Sequence, residues 1–261
     1  MANDFTHRAV QALGGKRLHR LGLAPSFGLD QAGCAEALEQ VQYVFWNPRA
    51  SRFTGPLREA CRRDRERYVI AGGPTLSFFP GQLQKYVDRA RKVLGTDYLD
   101  VLQLYWLGKM SRFSPAMVDE MARIRETGAV RALAASIHDR PRAGKLALDS
   151  PLDLFMIRYN AAHPGAETDI FPHLARRQPA VVAYTATSWR KLLRAPSGWN
   201  GPVMTAGDCY RFCLSSPHVD VVLTGPKDVA ELRQNLAALG RGPLSDEEQR
   251  WMREFGRKVH G

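Results

Sequence analysis

The sequence is poor in the features that define several protein classes. Its 261 residues include four cysteines, Cys34, Cys61, Cys209 and Cys213, with neither a CxxC pair nor the spacing of a metal site. A chain of this length needs no disulfide framework, so we expect reduced thiols and a cytoplasmic location. The first 25 residues contain no apolar run typical of a signal peptide. No segment approaches the roughly 18 apolar residues of a membrane span, so no membrane partner is expected.

The charge is unbalanced towards the basic side. Lysine and arginine number 37 against 26 acidic residues, which gives a formal net charge of +11. Such a balance raises the question of nucleic acid or phosphate ligands. The basic residues are scattered through amphipathic stretches, without an aromatic-interleaved patch or a nucleic-acid motif. We therefore expect a small-molecule ligand and no nucleic acid, and the oligomeric state stays open.

Short apolar runs of strand type alternate with stretches of helical length along the whole chain. Eight runs predict strands, at residues 20–24, 43–46, 68–72, 101–106, 130–136, 152–160, 180–185 and 219–225. The predicted helices include 31–40, 80–95, 115–128 and 228–240, and Gly95 and Gly128 are expected to end two of them.

Strands that are apolar throughout indicate a parallel sheet covered on both faces. Eight strand-then-helix units therefore predict the α/β class and a single (β/α)8 TIM barrel domain spanning residues 1–261. A doubly wound sheet is less favoured, because the turn after the first strand lacks the GxGxxG pattern. The irregular segment 186–207 follows the seventh strand, where a barrel has its active-site face.

The order of several motifs resembles the aldo/keto reductase superfamily over nearly the whole chain. The matching pieces are "RLGLA", "LGTDYLDVLQLYW", "IRETGAVRALAAS", "MIRYNAAHPGAETDIFP", "VVAYTA" and "TGPKDVAELRQNLAAL". The resemblance implies a barrel that binds a nicotinamide cofactor and reduces carbonyls with an Asp, Tyr, Lys and His tetrad at its mouth. Fold and activity are separate implications, because one fold hosts many functions.

The tetrad that the resemblance implies is replaced at every position. The family pattern D-T-A-x-x-Y-G reads "WNPRASR" here, from Trp46 to Arg52. The lysine position falls on Gly73 or its neighbour, and the histidine position on Tyr105. In the family a lysine ammonium makes the tyrosine hydroxyl more acidic as it donates a proton to the carbonyl oxygen. That proton relay is expected to be absent.

About half of the cofactor site that the resemblance implies is retained. The matching candidates are Ser136, Tyr184, Gly225, Lys227 and Asn235. Three other family positions carry different residues, namely Ile137, Met156 and Glu231. A carboxylate at Glu231 would repel an adenosine 2′-phosphate. We expect NADP or NAD to bind weakly, without preference for NADPH.

Inward-facing side chains at the strand ends predict an apolar barrel mouth. We expect Trp46, Asn47 and Met156 to line a pocket there, beside Tyr105 and Tyr184, which would suit a planar hydrophobic ligand. The alternative is that these side chains fill the mouth themselves and leave no pocket.

Two residues are candidate acids or bases, Tyr105 and His138. A phenol has an ordinary pKa of about 10, whereas an imidazole titrates near neutrality. The alternatives are an architectural Tyr105 and a His138 that hydrogen-bonds a backbone carbonyl. His163, Glu167 and His173 are close in sequence, but Pro164 and Gly165 interrupt any helical spacing. No metal is therefore expected.

These observations leave several functions open. The chain is interpreted as a divergent aldo/keto reductase-like protein, and in one reading it is an NAD(P)H-linked oxidoreductase that does not use the family tetrad. In the alternative it is a pseudoenzyme, a barrel that binds a nucleotide or a planar hydrophobic ligand as a sensor or accessory protein. A barrel enzyme with another reaction and no nicotinamide is the third reading.

Overall fold

The computed structural model describes residues 4–24 and 28–260 of the chain. Its centre is a closed parallel barrel with the strand order β10-β3-β4-β5-β6-β7-β8-β9. The barrel strands are β3 (Leu21–Leu23), β4 (Tyr43–Phe45), β5 (Val69–Gly72), β6 (Leu99–Leu104), β7 (Val130–Ile137), β8 (Leu154–Arg158), β9 (Ala180–Tyr184) and β10 (Val221–Thr224). Each corresponds to one of the runs predicted from the sequence, so the predicted (β/α)8 barrel is confirmed.

Helices cover the outside of the barrel. They are α1 (Gln31–Gln40), α2 (Ser51–Arg63), α3 (Gln82–Leu94), α4 (Pro115–Glu126), α5 (Arg140–Leu148), α6 (Ala166–Asp169), α7 (Ala206–Ser215), α8 (Val229–Leu239) and α9 (Asp246–His260). Gly95 adopts the left-handed conformation directly after α3, and Gly128 does so two residues after α4. Both predicted helix ends are confirmed, because glycine accepts this conformation without steric cost.

A short hairpin that the sequence pattern did not predict closes the end of the barrel where the strands begin. It consists of β1 (His7–Val10) and β2 (Lys16–His19), paired antiparallel. Gly14 and Gly15, both at φ 71°, turn the chain between them. Val10, Leu13 and Leu18 pack against the side chains inside the barrel. The hairpin therefore seals this end with apolar side chains.

The buried side chains form two layers. One fills the barrel interior and includes Tyr43, Val69, Val101, Ala134 and Leu154. The other lies between the barrel and its helices. Each layer takes alternate residues of the same strands, which explains why the strands read as continuous apolar runs.

The predicted mouth segment 186–207 does follow a barrel strand, β9. It contains one turn of 3₁₀ helix at Lys191–Leu193 and ends where α7 begins. Thr205 and Asp208 form a reciprocal capping box at the start of α7. The four cysteines are buried as free thiols. Among the described helices, none has the length and apolar character required to cross a membrane.

Candidate functional site

Three neighbouring strands, β7, β8 and β9, send side chains into the barrel in stacked rows. Ser136 pairs in register with Met156, and Met156 pairs with Val182. Two residues further along, Arg158 of β8 pairs with Tyr184 of β9. His138 follows the last residue of β7 and lies at the same level. Because alternate residues of a strand face the same side, the upper row at the mouth consists of His138, Arg158 and Tyr184.

His138 and Tyr184 form a hydrogen-bonded pair in this upper row. The Tyr184 hydroxyl lies 2.7 Å from Nε2 of His138. Burial raises the pKa of Tyr184 to about 12, although Arg158 and Ser136 oppose that effect. Burial also lowers the pKa of His138, and the nearby charge of Arg158 lowers it further. Both groups are therefore neutral at pH 7, and the His138 tautomer decides which of the two donates the hydrogen bond.

Arg158 is half-buried beside that pair. Its guanidinium carbon lies 5.9 Å from the ring centroid of Trp189. Within residues 4–24 and 28–260, no carboxylate approaches Arg158 to the 4.0 Å of an ion pair. Arg140 and Arg253, by contrast, each hold a carboxylate at 2.8 Å, from Asp169 and Glu167 respectively. Arg158 thus brings positive charge to the mouth, and no carboxylate of the described residues forms an ion pair with it.

Tyr105 spans the opposite side of the mouth. Its ring packs edge-on against Phe45, with the ring centroids 5.4 Å apart. Its hydroxyl accepts a hydrogen bond from the backbone N–H of Gly73 at 3.1 Å. Burial raises the pKa of Tyr105 well above the usual value of a phenol. The side chain is neutral and joins the ends of β4, β5 and β6.

Close backbone packing surrounds the position that the family resemblance assigns to lysine. A Cβ atom at Gly73 would overlap the carbonyl oxygen of Gln103. A Cβ at Gly72 would overlap the Tyr86 hydroxyl and crowd the carbonyl of Trp46. A side chain at Gly73 requires movement of the β6 backbone, and one at Gly72 requires movement of Tyr86 in α3.

The prediction that Trp46 lines the mouth is wrong. Trp46 is completely buried in the layer between the barrel and its helices. Its indole Nε1–H donates to Oγ1 of Thr54 in α2 at 3.2 Å. Phe45, one residue earlier, is the side chain that packs inside the barrel. A shift of one residue along a strand reverses the face, which accounts for the error.

Asn47 and Met156, the other predicted pocket residues, lie at different depths. Asn47 is half-buried in the connection between β4 and α2, where its Oδ1 accepts from the backbone N–H of Arg49 at 2.9 Å. Met156 is 6% exposed, and its sulfur accepts from Nε2 of Gln103 at 2.9 Å. Asn47 is therefore a rim residue, and Met156 belongs to the floor of the mouth.

The start of α8, where the resemblance places the cofactor phosphates, holds carboxylates of the chain itself. The backbone N–H of Lys227 donates to Oε2 of Glu231 at 2.8 Å, and Asp228 accepts from the N–H of Glu231 at 2.8 Å. Helix N-termini attract anions, and these two acids already occupy that position. A Cβ at Gly28 would approach the carbonyl oxygen of Lys227 to 2.6 Å.

Two further cofactor candidates border this region. Gly225 is half-buried directly after β10, next to Thr224. Asn235 is 3% exposed, and its Nδ2 donates to Oγ1 of Thr224 at 3.2 Å. The backbone N–H of Lys227 already donates to Glu231, and the side-chain amide of Asn235 already donates to Thr224. With these hydrogen bonds in place, the residues do not fit the phosphate and adenine ends of a nicotinamide nucleotide. Ser136 and Tyr184, at the nicotinamide end, lie together at the mouth.

The residues considered for a metal have other partners. Nδ1 of His163 lies 3.2 Å from Oδ1 of Asn160. Glu167 accepts from the Tyr159 hydroxyl at 2.6 Å and pairs with Arg253. In the part of the chain that the structure describes, no group of three or more His, Cys, Asp or Glu side chains is arranged to hold a metal.

Sequence reasoning missed several features of the mouth. Arg158 lies two residues after Met156 on the same strand, so the period of two would have placed it there. Trp106 and Trp189, which are 43% and 60% exposed, flank the upper row. The ring of Trp106 lies 5.1 Å from that of His138. Both tryptophans have positive φ, at 38° and 52°, which no sequence pattern indicated.

The solved structures that are similar to this fold include several aldo-keto reductases. No protein-family model and no curated protein matches the sequence. An aldo-keto reductase from Bacillus halodurans, in its holo form, has a TM-score of 0.75 at 18% identity, over 92% of this chain and 93% of that one. One from Klebsiella pneumoniae, crystallised with NADP and acetate, has a TM-score of 0.76 at 17% identity, over 96% and 95%.

A glycerol dehydrogenase from Gluconobacter oxydans has a TM-score of 0.76 at 15% identity, over 100% of this chain and 98% of that one. Similarity at this level of identity concerns the fold, and function must be argued from the site. The resemblance inferred from the sequence is therefore confirmed in the arrangement of the barrel: the chain has the fold of the aldo/keto reductase superfamily.

Proposed function

We propose that this protein binds a planar, largely apolar small molecule at the barrel mouth and does not reduce carbonyls through the tyrosine and lysine relay of the aldo/keto reductases. The observation that carries the proposal is the packing at Gly73. The backbone N–H of Gly73 donates a hydrogen bond to the Tyr105 hydroxyl, and a side chain at Gly73 would overlap the carbonyl oxygen of Gln103. A lysine ammonium therefore has no place beside a proton-donating hydroxyl, and the relay lacks the group that makes the hydroxyl acidic.

The ligand-binding part of the proposal is supported by the distribution of exposed apolar side chains. Among the described residues, the large apolar side chains that are exposed are Leu76, Phe79, Trp106, Trp189 and Val203. All five lie in loops that follow β5, β6 or β9. These loops form the face of the barrel that carries active sites in other barrel proteins. Exposed apolar side chains gathered on one face indicate a binding surface.

A second candidate function is a nicotinamide-linked reductase that uses His138 and Tyr184 in place of the tetrad. It is favoured by the 2.7 Å contact between the Tyr184 hydroxyl and His138 Nε2. The pKa values work against it. A phenol with a pKa of about 12 and an imidazole with a lowered pKa are both poor proton donors at pH 7.

The two functions are separated by measuring binding and turnover on the same sample. Calorimetric titrations with NADPH and NADH would give the affinities, and cofactor oxidation with a panel of aldehydes and quinones would give the rates. We expect weak binding without preference for NADPH. Carbonyl turnover on the order of 1 per second that is lost in Tyr184→Phe but kept in Tyr98→Phe would support the reductase instead. Tyr98 is a suitable control because it contacts Glu66 and lies just before β6, at the far end of the barrel.

A further inference from the structure

The upper row at the mouth contains a charge, that of Arg158, for which the described residues supply no carboxylate partner. Arg158 is the last residue of β8, and its register with Tyr184 places it between β7 and β9 in the ring of strand ends. It is half-buried, and the described residues place no carboxylate within ion-pair distance of it. A charge partly removed from water is stabilised by an opposite charge or by hydrogen bonds. A ligand anion at the mouth would supply such a partner.

The aromatic rings around Arg158 carry no charge at pH 7. Tyr184 and His138 are bonded to each other and carry no charge at pH 7. Trp189 lies against the guanidinium at 5.9 Å, and Trp106 lies 5.1 Å from the ring of His138. The four rings offer flat surface near the Arg158 guanidinium. The planar guanidinium has two N–H groups whose spacing matches the two oxygens of a carboxylate, so the two groups form a pair of parallel hydrogen bonds.

The same charge disfavours an oxidised nicotinamide. The resemblance places the nicotinamide ring against Tyr184, and Arg158 is the register neighbour of that residue. The ring of NAD⁺ or NADP⁺ carries a positive charge, which Arg158 would repel. An aromatic acid brings the opposite sign to the same surface.

We infer that the ligand of this mouth is a planar aromatic carboxylate whose carboxylate pairs with Arg158 and whose ring packs against the tryptophans. This inference rests on the proposed ligand-binding function and adds the chemical class of the ligand. The carboxamide that corresponds to such an acid has nearly the same shape but no charge. The pair of compounds therefore separates recognition of the anion from burial of the ring.

The test is a titration of the full chain with 1-naphthoate and with 1-naphthamide, followed by calorimetry and by tryptophan fluorescence. The variants are Arg158→Gln, Arg158→Lys and, as a control, Arg194→Gln, which removes an exposed arginine from the same loop region. Circular dichroism checks that each variant is folded. We expect wild-type protein to bind naphthoate about tenfold more tightly than naphthamide, the ratio typical of one charge-assisted pair.

Arg158→Gln should abolish that ratio and leave naphthamide binding unchanged, Arg158→Lys should restore part of it, and Arg194→Gln should keep it whole. Equal affinities for the two probes in the wild type would overturn the aromatic carboxylate while leaving a planar-ligand site intact. A preference for naphthoate that persists in Arg158→Gln would overturn the role of Arg158. If neither probe binds at millimolar concentration, both this inference and the proposed ligand-binding function are wrong.

Discussion

Where the barrel strands begin, the carboxylate of Asp100 is 4% exposed and is surrounded by donors. It accepts from Nη2 of Arg65 at 2.7 Å and from the backbone N–H of Ile70 at 2.9 Å, and Lys16 lies 3.4 Å away. Where the strands end, Arg158 is half-buried and no described carboxylate faces it. Charge that is matched within the chain stabilises the fold. Charge that is left unmatched is available to a ligand.

The backbone conformation also differs between the two ends of the barrel. The strand-start end carries a regular hairpin turned by two glycines, Gly14 and Gly15. At the mouth, non-glycine residues adopt positive φ, including Trp106 at 38°, Thr185 at 53° and Trp189 at 52°. Such conformations cost on the order of 1–3 kcal/mol each and cluster at binding sites. Five of the six described non-glycine residues with positive φ lie at the mouth, and the sixth, Gln178 at 51°, precedes β9 at the other end.

The largest predicted difference between the two ends is in the free energy of unfolding. Asp100→Ala should lower the free energy of unfolding by about 3–5 kcal/mol, because it leaves Arg65, Lys16 and a backbone amide without their shared acceptor. Arg158→Ala should change it by less than about 1 kcal/mol. Urea unfolding of both variants measures the difference. Similar losses in the two variants would show that Arg158 is paired within the fold.

A second test concerns the close packing at the mouth. Gly73→Ala should destabilise the protein by about 1–3 kcal/mol, because the new methyl group overlaps the carbonyl of Gln103. Gly55→Ala is the control, since Gly55 lies in α2 and nothing lies within 4 Å of the position its Cβ would take. That change should stabilise the protein by about 0.5–1 kcal/mol through helix propensity. A neutral Gly73→Ala would mean that a side chain fits there.

A smaller effect is expected from the tyrosine that covers Gly73. Tyr105→Phe removes the hydrogen bond from the Gly73 amide and should lower stability or ligand affinity by about 0.5–1.5 kcal/mol. Thermal unfolding and the naphthoate titration measure the two quantities. If a substrate is found and Tyr105→Phe lowers turnover by roughly a hundredfold at unchanged binding, Tyr105 is an acid catalyst and its architectural role is wrong.

The smallest effect is a change in one pKa. Arg158→Gln should raise the pKa of His138 towards its ordinary value of 6.5, because the nearby cation is removed while burial remains. The pKa of His19, lowered by burial to about 4 at the opposite end, should not change. NMR titration of the imidazole protons reports both residues. An unchanged His138 would show that burial alone sets its pKa.

The lowered pKa of a buried histidine also makes the stability of the protein depend on pH. A histidine whose pKa is lowered by folding binds its proton more readily in the unfolded chain. Its contribution to stability is therefore complete above pH 6.5 and declines as the pH falls towards the folded-state value, about 4 for His19. Urea unfolding at pH 7 and pH 5 should show this loss in the wild type and less of it in His19→Gln.

The barrel itself could be predicted from the sequence because each strand is buried on both faces and reads as an apolar run. The hairpin could not, because its two strands, His7–Val10 and Lys16–His19, are mostly polar and pair only with each other. Trp46 was assigned to the wrong face because β4 is three residues long, and a one-residue slip reverses every side chain.

Arg158 was overlooked for a different reason. Its importance lies in the absence of a carboxylate partner in the described fold, and pairing is a property of three-dimensional packing. The period of two along β8 would place Arg158 at the mouth, but the sequence gives no sign that this arginine, one of 37 basic residues, lacks an ion pair there. The strained tryptophans were missed likewise, since φ values follow from the loops and not from residue type alone.

The central claim is that the mouth binds a planar ligand without the carbonyl-reducing relay. It is tested most directly by steady-state oxidation of NADPH and NADH with a panel of aldehydes and quinones, on protein shown by fluorescence titration to bind naphthoate. The account predicts naphthoate binding together with turnover far below about 1 per second for every carbonyl. Turnover at or above that rate, abolished by Tyr184→Phe and retained in Tyr98→Phe, would contradict it.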